Sequence, residues 1–300
     1  MDVTLESSLP NTRALRRTFN RLADLYDGHA ALEQEVASRL LERLEFHRLA
    51  PQRIMDLGCG TGQASAELKS RFRKAQVIGL DSSRAMVAQM RRRSRLLRPL
   101  KAVCADFSAL PLADQSSELL YSNLAMQWCP DLVSLFAEFR RILMPGGMLL
   151  FSSFGPDSLA ELRTAWAGTD ETAHTMEFTD MLEVGDALMA AGFQEPVMDT
   201  ERITLSYPDI DALICELQAT GTSGFLQGRY SLREAKDSIE KAYQAFRVDG
   251  KYPVTYQIIY GTAFGPQEGQ PRKTPQGDLV TFSVESLKKG AQKQSDSSAI

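Results

Sequence analysis

Apolar residues recur at helical spacing over the first fifty residues of the chain. Between residues 12 and 49 they follow one another at steps of three and four positions, which is typical of amphipathic helices that bury one face. Pro51 cannot continue such a helix. We therefore expect an N-terminal helical cap over residues 1–49. The periodic positions are Leu15, Phe19, Leu22, Tyr26, Leu32, Val36, Leu40 and Leu44.

From residue 50 onward, short apolar runs alternate with amphipathic stretches of helical length. Such alternation is typical of βαβ units, which build a parallel sheet covered by helices. The segment LMPGG at 143–147 predicts the turn that leads into the fifth strand. The sequence therefore predicts an α/β protein. The strand-like runs are RIMDL, QVIGL, KAVCA, ELLYS and MLLFSSF.

The pattern changes after Ser153. Residues 157–192 and 209–247 are predicted to be mostly helical, VMDTERITLSY between them to be a strand, and YPVTYQIIYGTAF at 252–264 to be a final aromatic strand. The segment ATGTSGFLQGRY interrupts the second helical block and fits either a mobile lid or an ordinary connection. From Gly265, polar residues, Pro and Gly dominate, so we expect a mostly disordered tail over 265–300, with LVTFSV as a candidate edge strand.

Composition narrows the class of protein. Of the 300 residues, 43% are apolar, no apolar run is long enough to cross a bilayer, and the first residues lack a signal-peptide pattern. The four cysteines are dispersed without a CxxC pair, so neither a disulfide framework nor a metal site is expected. We expect a soluble cytoplasmic protein without a bound metal.

The net charge of −4 hides a strongly basic segment. Residues 69–101, called the basic segment below, contain eleven Lys or Arg and a single acid, Asp81. A positive field on an otherwise acidic protein favours an anionic partner. A solvated helix face explains the same charges equally well.

The stretch IMDLGCGTGQ at 54–63 joins a predicted strand to a predicted helix through three glycines. Such a turn places backbone N–H groups beside a ligand at the carboxyl edge of the sheet. The dinucleotide pattern G-x-G-x-x-G/A fails because Gln63 stands three positions after Gly60. A pyrophosphate would also approach Asp56, and two like charges about 4 Å apart repel by roughly 4 kcal/mol at a surface-like dielectric. S-adenosylmethionine, which carries a sulfonium and an ammonium but no phosphate, avoids this repulsion.

Two more acids follow the next two predicted strands. Asp81 closes the run VIGLD and is expected to accept the ribose hydroxyls of the cofactor. Asp106 and Phe107, in ADF, are expected to contact the exocyclic amine and the ring face of adenine. A turn-forming aspartate and a core phenylalanine are the ordinary alternatives at these positions. Three acids at three consecutive strand ends favour the cofactor site.

Together with LMPGG, the motifs DLGCGTG, GLD and ADF resemble those of the class I S-adenosylmethionine-dependent methyltransferases, over roughly residues 50–155. The resemblance implies a Rossmann-like, seven-stranded sheet in the order 3-2-1-4-5-7-6 with the last strand antiparallel. It implies that Asp56 lies near the methionine end of the cofactor and that Asn123 faces the methyl donor. The glycines that it brings close to the cofactor are Gly58, Gly60 and Gly62.

Longer stretches resemble one branch, the malonyl-acyl-carrier-protein O-methyltransferases of biotin synthesis. They include RRTFNRLADLYDGHAALEQEVASRLLERL, SNLAMQWC and GKYPVTYQIIYG, and together span most of residues 16–264. The resemblance implies a methyltransferase domain over 50–264 with a lid and acceptor insertion at about 157–250. The implied reaction is methyl transfer to the free carboxylate of malonyl-acyl-carrier protein or malonyl-CoA, giving the ester that primes pimeloyl synthesis. The segment GTSGFLQGR departs from the usual lid of that family.

A carboxylate acceptor is already ionised at neutral pH, so no general base is expected and catalysis would rest on positioning and exclusion of water. The guanidinium group of an arginine can bind a carboxylate through two hydrogen bonds, and our candidate for binding the acceptor carboxylate is Arg229. Trp128 is expected to wall the acceptor pocket and Tyr26 to cover the cofactor. Each of these residues could instead serve the fold alone. The resemblance implies that Phe19 covers the cofactor together with Tyr26, and the remaining candidates for polar contacts near the acceptor are Gln127 and His174.

Acyl carrier proteins are strongly acidic, so the basic segment is expected to steer such a partner. Nucleic acid is disfavoured because the chain is acidic overall and contains no recognised nucleic-acid module. Three alternatives stay open at this point. They are methylation of another small carboxylic acid or a quinone precursor, S-adenosylmethionine binding by a sensor or assembly subunit, and a nicotinamide dehydrogenase.

Overall fold

A single sheet organises the residues that the structure describes. The structure, a computed structural model, describes residues 12–107, 109–169, 174–175, 177–227, 231–267, 272–274 and 277–279. Within this part of the chain, seven strands pair in the order 3-2-1-4-5-7-6, and β7 is antiparallel to both of its neighbours. This confirms the predicted fold class. The strands are β1 (Arg53–Leu57), β2 (Gln76–Asp81), β3 (Leu100–Cys104), β4 (Ser117–Ser122), β5 (Leu143–Phe154), β6 (Gln194–Tyr207) and β7 (Tyr252–Phe264).

Helices precede the sheet, connect its strands and fill the segment between β5 and β7. Several begin at an Asp or Ser whose side chain accepts a backbone N–H of the first turn, as Ser83 accepts from Met86 at 3.2 Å and Asp131 from Ser134 at 3.0 Å. The α-helices are α1 (Thr12–Leu22), α2 (Tyr26–His29), α3 (Ala31–Glu42), α4 (Gln63–Arg71), α5 (Arg84–Arg93), α6 (Leu132–Ile142), α7 (Ala160–Ala167), α8 (Met181–Ala190), α9 (Ile210–Ala219) and α10 (Lys236–Tyr243). Short 3-10 turns are Arg43–Phe46, Met126–Trp128, Thr222–Phe225 and Gln244–Phe246.

The segment LMPGG differs from its prediction as a turn. β5 begins at Leu143 and runs through this segment, so the pairing of β4 with β5 starts at Ser117 and Leu143 and resumes at Leu119 and Met148. Gly146 adopts a φ of 67°. The Pro and two glycines therefore form a bulge inside a strand rather than a turn before it, because the strand pairs on both sides of them.

Both faces of the central strands β1, β4 and β5 are buried. Alternate residues of β1 enter different apolar cores, with Ile54 on one face and Met55 and Leu57 on the other. Parallel strands that are buried on both faces have near-continuous apolar sequences, which explains why these runs were recognisable. Because the parallel strands all end at one edge, the polar residues that follow them gather there.

Two short antiparallel pairs lie outside the main sheet. Residues His174–Thr175 pair with Leu226–Gln227, and Arg272–Thr274 pair with Gly277–Leu279. The latter pair falls within the predicted tail, and of the candidate edge strand LVTFSV only Leu279 is described. No helix in the described ranges has both the length and the apolar character needed to span a bilayer. The same ranges hold no cluster of His, Cys, Asp and Glu that could bind a metal ion.

Candidate functional site

The glycine loop after β1 is fastened to the end of β2. The backbone N–H groups of Gly58 and Cys59 donate to the carbonyl of Leu80 at 2.8 and 3.0 Å. The N–H of Gly60 donates to Oδ2 of Asp81 at 3.0 Å. These bonds bring two strand ends together and hold the loop open above them, at the edge where a ligand can approach its backbone.

The three glycines of the loop meet different surroundings, although all have positive φ. A Cβ on Gly58 would lie 2.3 Å from Cβ of Ala125, and one on Gly62 would lie 2.4 Å from Cγ of Met90. A Cβ on Gly60 would meet no heavy atom within 4 Å. Gly58 and Gly62 are therefore needed for close packing, whereas Gly60 faces open space.

Asp56 and Asp81 are acids at this edge that form no salt bridge with any described residue. Asp56 is buried and accepts a hydrogen bond from Ser65 of α4, and burial raises its pKa to about 7, with the charge of Asp81 adding to the rise. Asp81 is half-buried and also accepts from the N–H of Ser83 at 2.7 Å. Burial raises the pKa of Asp81 to about 6. The edge therefore carries negative charge without a matching cation.

The N-terminal helices cover this edge and form a crevice with it. We call crevice the pocket lined by Tyr26, Glu33, Asp56, Gly58, Gly60 and Asn123, among others. Two contacts fix the cover: Oγ1 of Thr61 donates to Asp27 at 2.5 Å, and Arg93 of α5 forms a salt bridge with the same aspartate. Burial, followed by the charge of Glu33, raises the pKa of Tyr26 well above its usual value. Tyr26 therefore lies beside the acids of the crevice.

Glu33 of α3 is a crevice residue that the sequence analysis missed. Its Oε2 atom is buried and has no hydrogen-bond partner among the described residues. Burial raises its pKa to about 7, and the charge of Glu216 on α9 adds to the rise. No pattern in the sequence distinguishes this glutamate from Glu35 two positions later, which is exposed and pairs with Arg39. Only its tertiary position reveals it.

Asn123 follows β4, and both the nitrogen and the oxygen of its side-chain amide form hydrogen bonds. Its Nδ2 donates to the carbonyl of Glu33 at 3.0 Å, and its Oδ1 accepts from Oγ of Ser152 at 2.8 Å. At the end of β3, Asp106 is exposed, while Phe107 packs edge-on against Phe139 with 6.5 Å between ring centroids. Asn123 thus joins the helical cap to the sheet edge, and its role toward a methyl donor stays a prediction.

The residues predicted for the acceptor side are only partly described. Trp128 is half-buried and stands edge-on to Phe19, with 5.8 Å between ring centroids. Gln127 donates from Nε2 to the carbonyl of Leu124 at 2.7 Å, and its buried Oε1 has no partner among the described residues. For His174 the structure describes the backbone alone, paired with Gln227. Arg229 lies outside the described residues.

Comparisons with known proteins agree with the fold described above. A sequence model of the methyltransferase domain family matches residues 55–151, which run from Met55 of β1 through the glycine loop to Phe151 of β5. A candidate methyltransferase from Bacillus halodurans superposes with a TM-score of 0.57 at 18% identity, covering 77% of this chain and all of that one. A methyltransferase candidate in a complex from Haloferax volcanii gives 0.54 at 20% identity, covering 83% and 98%. At such low identity these structures show the fold alone, which together with the matched domain is that of a class I methyltransferase.

Much closer relatives exist by sequence. The malonyl-[acyl-carrier protein] O-methyltransferase of Methylovorus sp. is 42% identical over 274 residues, covering 88% of this chain and 93% of the relative. The protein of the same name from Gallionella capsiferriformans is 43% identical, covering 85% and 91%. The chain belongs to this family of O-methyltransferases.

Proposed function

We propose that the protein transfers a methyl group from S-adenosylmethionine to the free carboxylate of a malonyl group carried by acyl carrier protein, in the service of biotin synthesis. The names and close identity of the relatives support the acceptor. The observation that carries the cofactor assignment is a crevice in which Glu33 and Asp56 form no salt bridge with any described residue and the central glycine, Gly60, faces open space.

The crevice residues fit S-adenosylmethionine. Gly60 leaves room for a ligand to approach the loop backbone, since no described heavy atom would lie within 4 Å of a Cβ built there. The orphaned Oε2 of Glu33 is an acceptor suited to an ammonium group, and Asp56 adds negative charge on the same side. Oxygen lone pairs of Asp81 that the loop does not use are suited to ribose hydroxyls. Asp106 and Phe107 are our candidates for the adenine.

When bound, S-adenosylmethionine would supply a methyl group on its sulfonium sulfur. The acceptor oxygen would form the ester bond to this methyl group as the sulfur leaves as a neutral thioether. The protein orients the two reacting groups and excludes water. It transfers no proton, because the malonyl carboxylate is already ionised at neutral pH. Tyr26 lines the crevice, Phe19 packs against it and Trp128 against Phe19, and these partly buried aromatic side chains would exclude water from the site. Arg229, Gln127 and His174 stay our candidates for contacts with the acceptor.

The basic segment stays a candidate for steering the carrier protein, but the fold already uses several of its charges. Lys69 is buried and donates to two backbone carbonyls at 3.0 and 2.6 Å. Arg93 forms a salt bridge with Asp27, next to the glycine loop. The number of cations in the sequence therefore overstates the charge that this segment presents to a partner.

Methyl transfer to a panel of acceptors tests the proposed function. With radiolabelled S-adenosylmethionine, label is expected to enter malonyl-acyl-carrier protein most efficiently, then malonyl-CoA, and free malonate least. Base-labile release of the label identifies a carboxyl ester. Preferred labelling of an unrelated carboxylic acid or a quinone precursor would contradict the acceptor, and binding of the cofactor without transfer to any acceptor would contradict the reaction.

Cofactor binding is expected to strengthen as the pH rises from 5.5 to 7. Glu33 and Asp56 have pKa values near 7 and Asp81 near 6, all above the usual range for carboxyl groups. A cationic ligand favours the ionised carboxylates, so binding releases protons, and each proton released strengthens binding by up to about tenfold per pH unit. Below pH 7 the amine of the ligand stays protonated, since α-amino groups titrate at about 7.7–8.0.

The same pKa shifts affect stability in the opposite direction. Because these carboxyl groups hold their protons more tightly in the folded apo-protein than in the unfolded chain, the free energy of unfolding falls as the pH rises from about 4 to 7.

The pH dependence of cofactor binding is measured by calorimetric titration with S-adenosylmethionine at several pH values. Glu33→Gln serves as the comparison, and its dissociation constant is expected to depend less steeply on pH. A dissociation constant that stays constant from pH 5.5 to 7 contradicts the assignment.

A further inference from the structure

Helix α1 lies along the rim of the crevice, and its residues are not part of the buried core. Oδ1 of Asn20 accepts from Oγ of Ser83 at 2.9 Å and from the N–H of Ala85 at 3.0 Å, which fastens α1 beside the strand end that carries Asp81. Phe19 stands edge-on to Trp128. No residue of α1 is buried. Phe19 also stands edge-on to Tyr26, which lines the crevice, so the helix lies beside the crevice between the end of β2 and Trp128.

The outer face of α1 is basic. Arg13, Arg16, Arg17 and Arg21 are all exposed, recur at helical spacing, and α1 contains no acid. Among the described residues, Arg16, Arg17 and Arg21 form no salt bridge. Their charge is thus available to a partner.

The neighbouring acids are directed toward α5 instead of α1. Asp27 forms its salt bridge with Arg93, and Asp24 accepts from Gln89 and lies 3.9 Å from Arg92. These acids therefore pair with α5, and no described acid forms a salt bridge with Arg16, Arg17 or Arg21. Other cations of the basic segment, such as Arg73 and Arg95, precede β2 and β3 and so lie toward the opposite edge of the sheet.

We propose that the outer face of α1, through Arg16, Arg17 and Arg21, is the surface on which the acidic carrier protein docks to present its malonyl thioester to the crevice. This inference rests on the proposed function for the identity of the partner. A partner bound on α1 would lie next to the opening of the crevice. A partner bound at the amino-terminal edge of the strands would lie farther from this opening. Opposite charge at the rim of an interface acts mainly on the rate of association and on salt dependence.

Charge reversal of the three arginines tests the docking surface. The variant Arg16→Glu/Arg17→Glu/Arg21→Glu is expected to raise the KM for malonyl-acyl-carrier protein by at least about tenfold and to weaken direct binding of that carrier, with reduced salt dependence. Turnover of malonyl-pantetheine, which has the same acceptor without a protein or phosphate, is expected to change less than about twofold. The matched control is Arg73→Glu/Lys74→Glu/Arg95→Glu, which changes the charge equally at the other edge of the sheet.

Each outcome bears on the inference. Equal effects of the α1 variant on both acceptors, no effect on carrier binding, or an equal effect of the control variant would overturn it. Retained carrier binding with lost binding to vesicles of anionic lipid would assign the face to a membrane surface instead. If the parent protein methylates no malonyl thioester, the proposed function fails, and loss of direct carrier binding in the α1 variant still supports the docking surface.

Discussion

Gly60→Ala is expected to weaken S-adenosylmethionine binding by about 10- to 100-fold while leaving the fold intact. A Cβ at this position points into open space, so the protein itself accommodates it. The same space is where the ligand approaches the loop in the proposed site, and overpacking of this kind costs about 1–3 kcal/mol. With a φ of 52°, the backbone imposes a further cost of roughly 1–2 kcal/mol on any residue with a side chain.

The backbone cost can be separated from the loss of binding with a matched glycine elsewhere. Gly192, after α8, has a φ of 84° and also has no heavy atom near a built Cβ, but it lies outside the crevice. Gly192→Ala is therefore expected to lower the melting temperature about as much as Gly60→Ala and to leave cofactor affinity unchanged. Calorimetric titration and thermal unfolding measure the two quantities. Parent-like affinity in Gly60→Ala would remove the loop backbone from the cofactor site.

The residues near the glycine loop could be predicted because their signals are local. The run RIMDL coincides with β1, in which Asp56 is the penultimate residue, and Asp81 is the last residue of β2. A buried parallel strand is recognisable from its own apolar residues, and parallel strands bring their ends together without further information. The sheet order, by contrast, came from resemblance rather than from the apolar pattern.

Features that depend on distant parts of the chain could not be predicted in the same way. Glu33 differs from Glu35 of α3 because the fold buries its carboxyl group, and the charge of Glu216 on α9 adds to the rise in its pKa. LMPGG has the composition of a turn, yet pairing with β4 on both sides makes it part of β5. The basic segment was identified by counting cations, whereas burial of Lys69 and the pairing of Arg93 with Asp27 follow from tertiary contacts. Sequence shows which charges exist, and the fold decides which of them remain available.

Asp81→Ala is expected to weaken cofactor binding by about 10- to 100-fold, since hydrogen bonds to a charged group contribute about 1.5–3 kcal/mol. The carboxylate has two expected functions, to accept ribose hydroxyls and to hold the N–H of Gly60 at the position that keeps the loop open. Asp81→Asn keeps an acceptor oxygen but removes the charge, so its affinity is expected to lie between those of the parent and the alanine variant. Calorimetric titration of all three proteins separates charge from hydrogen bonding.

A control for Asp81→Ala has to remove a carboxylate that accepts a backbone N–H away from the crevice. Asp180 does this at the start of α8, where it accepts from the N–H of Glu183 at 2.8 Å. Asp180→Ala is expected to cost about 1 kcal/mol of stability as a lost helix cap, with no change in cofactor affinity. Asp81→Ala is expected to lower cofactor affinity, and it also costs some stability, because it removes the acceptor of the N–H groups of Gly60 and Ser83. Similar profiles for the two variants would mean that Asp81 serves the loop alone and that the ribose is held elsewhere.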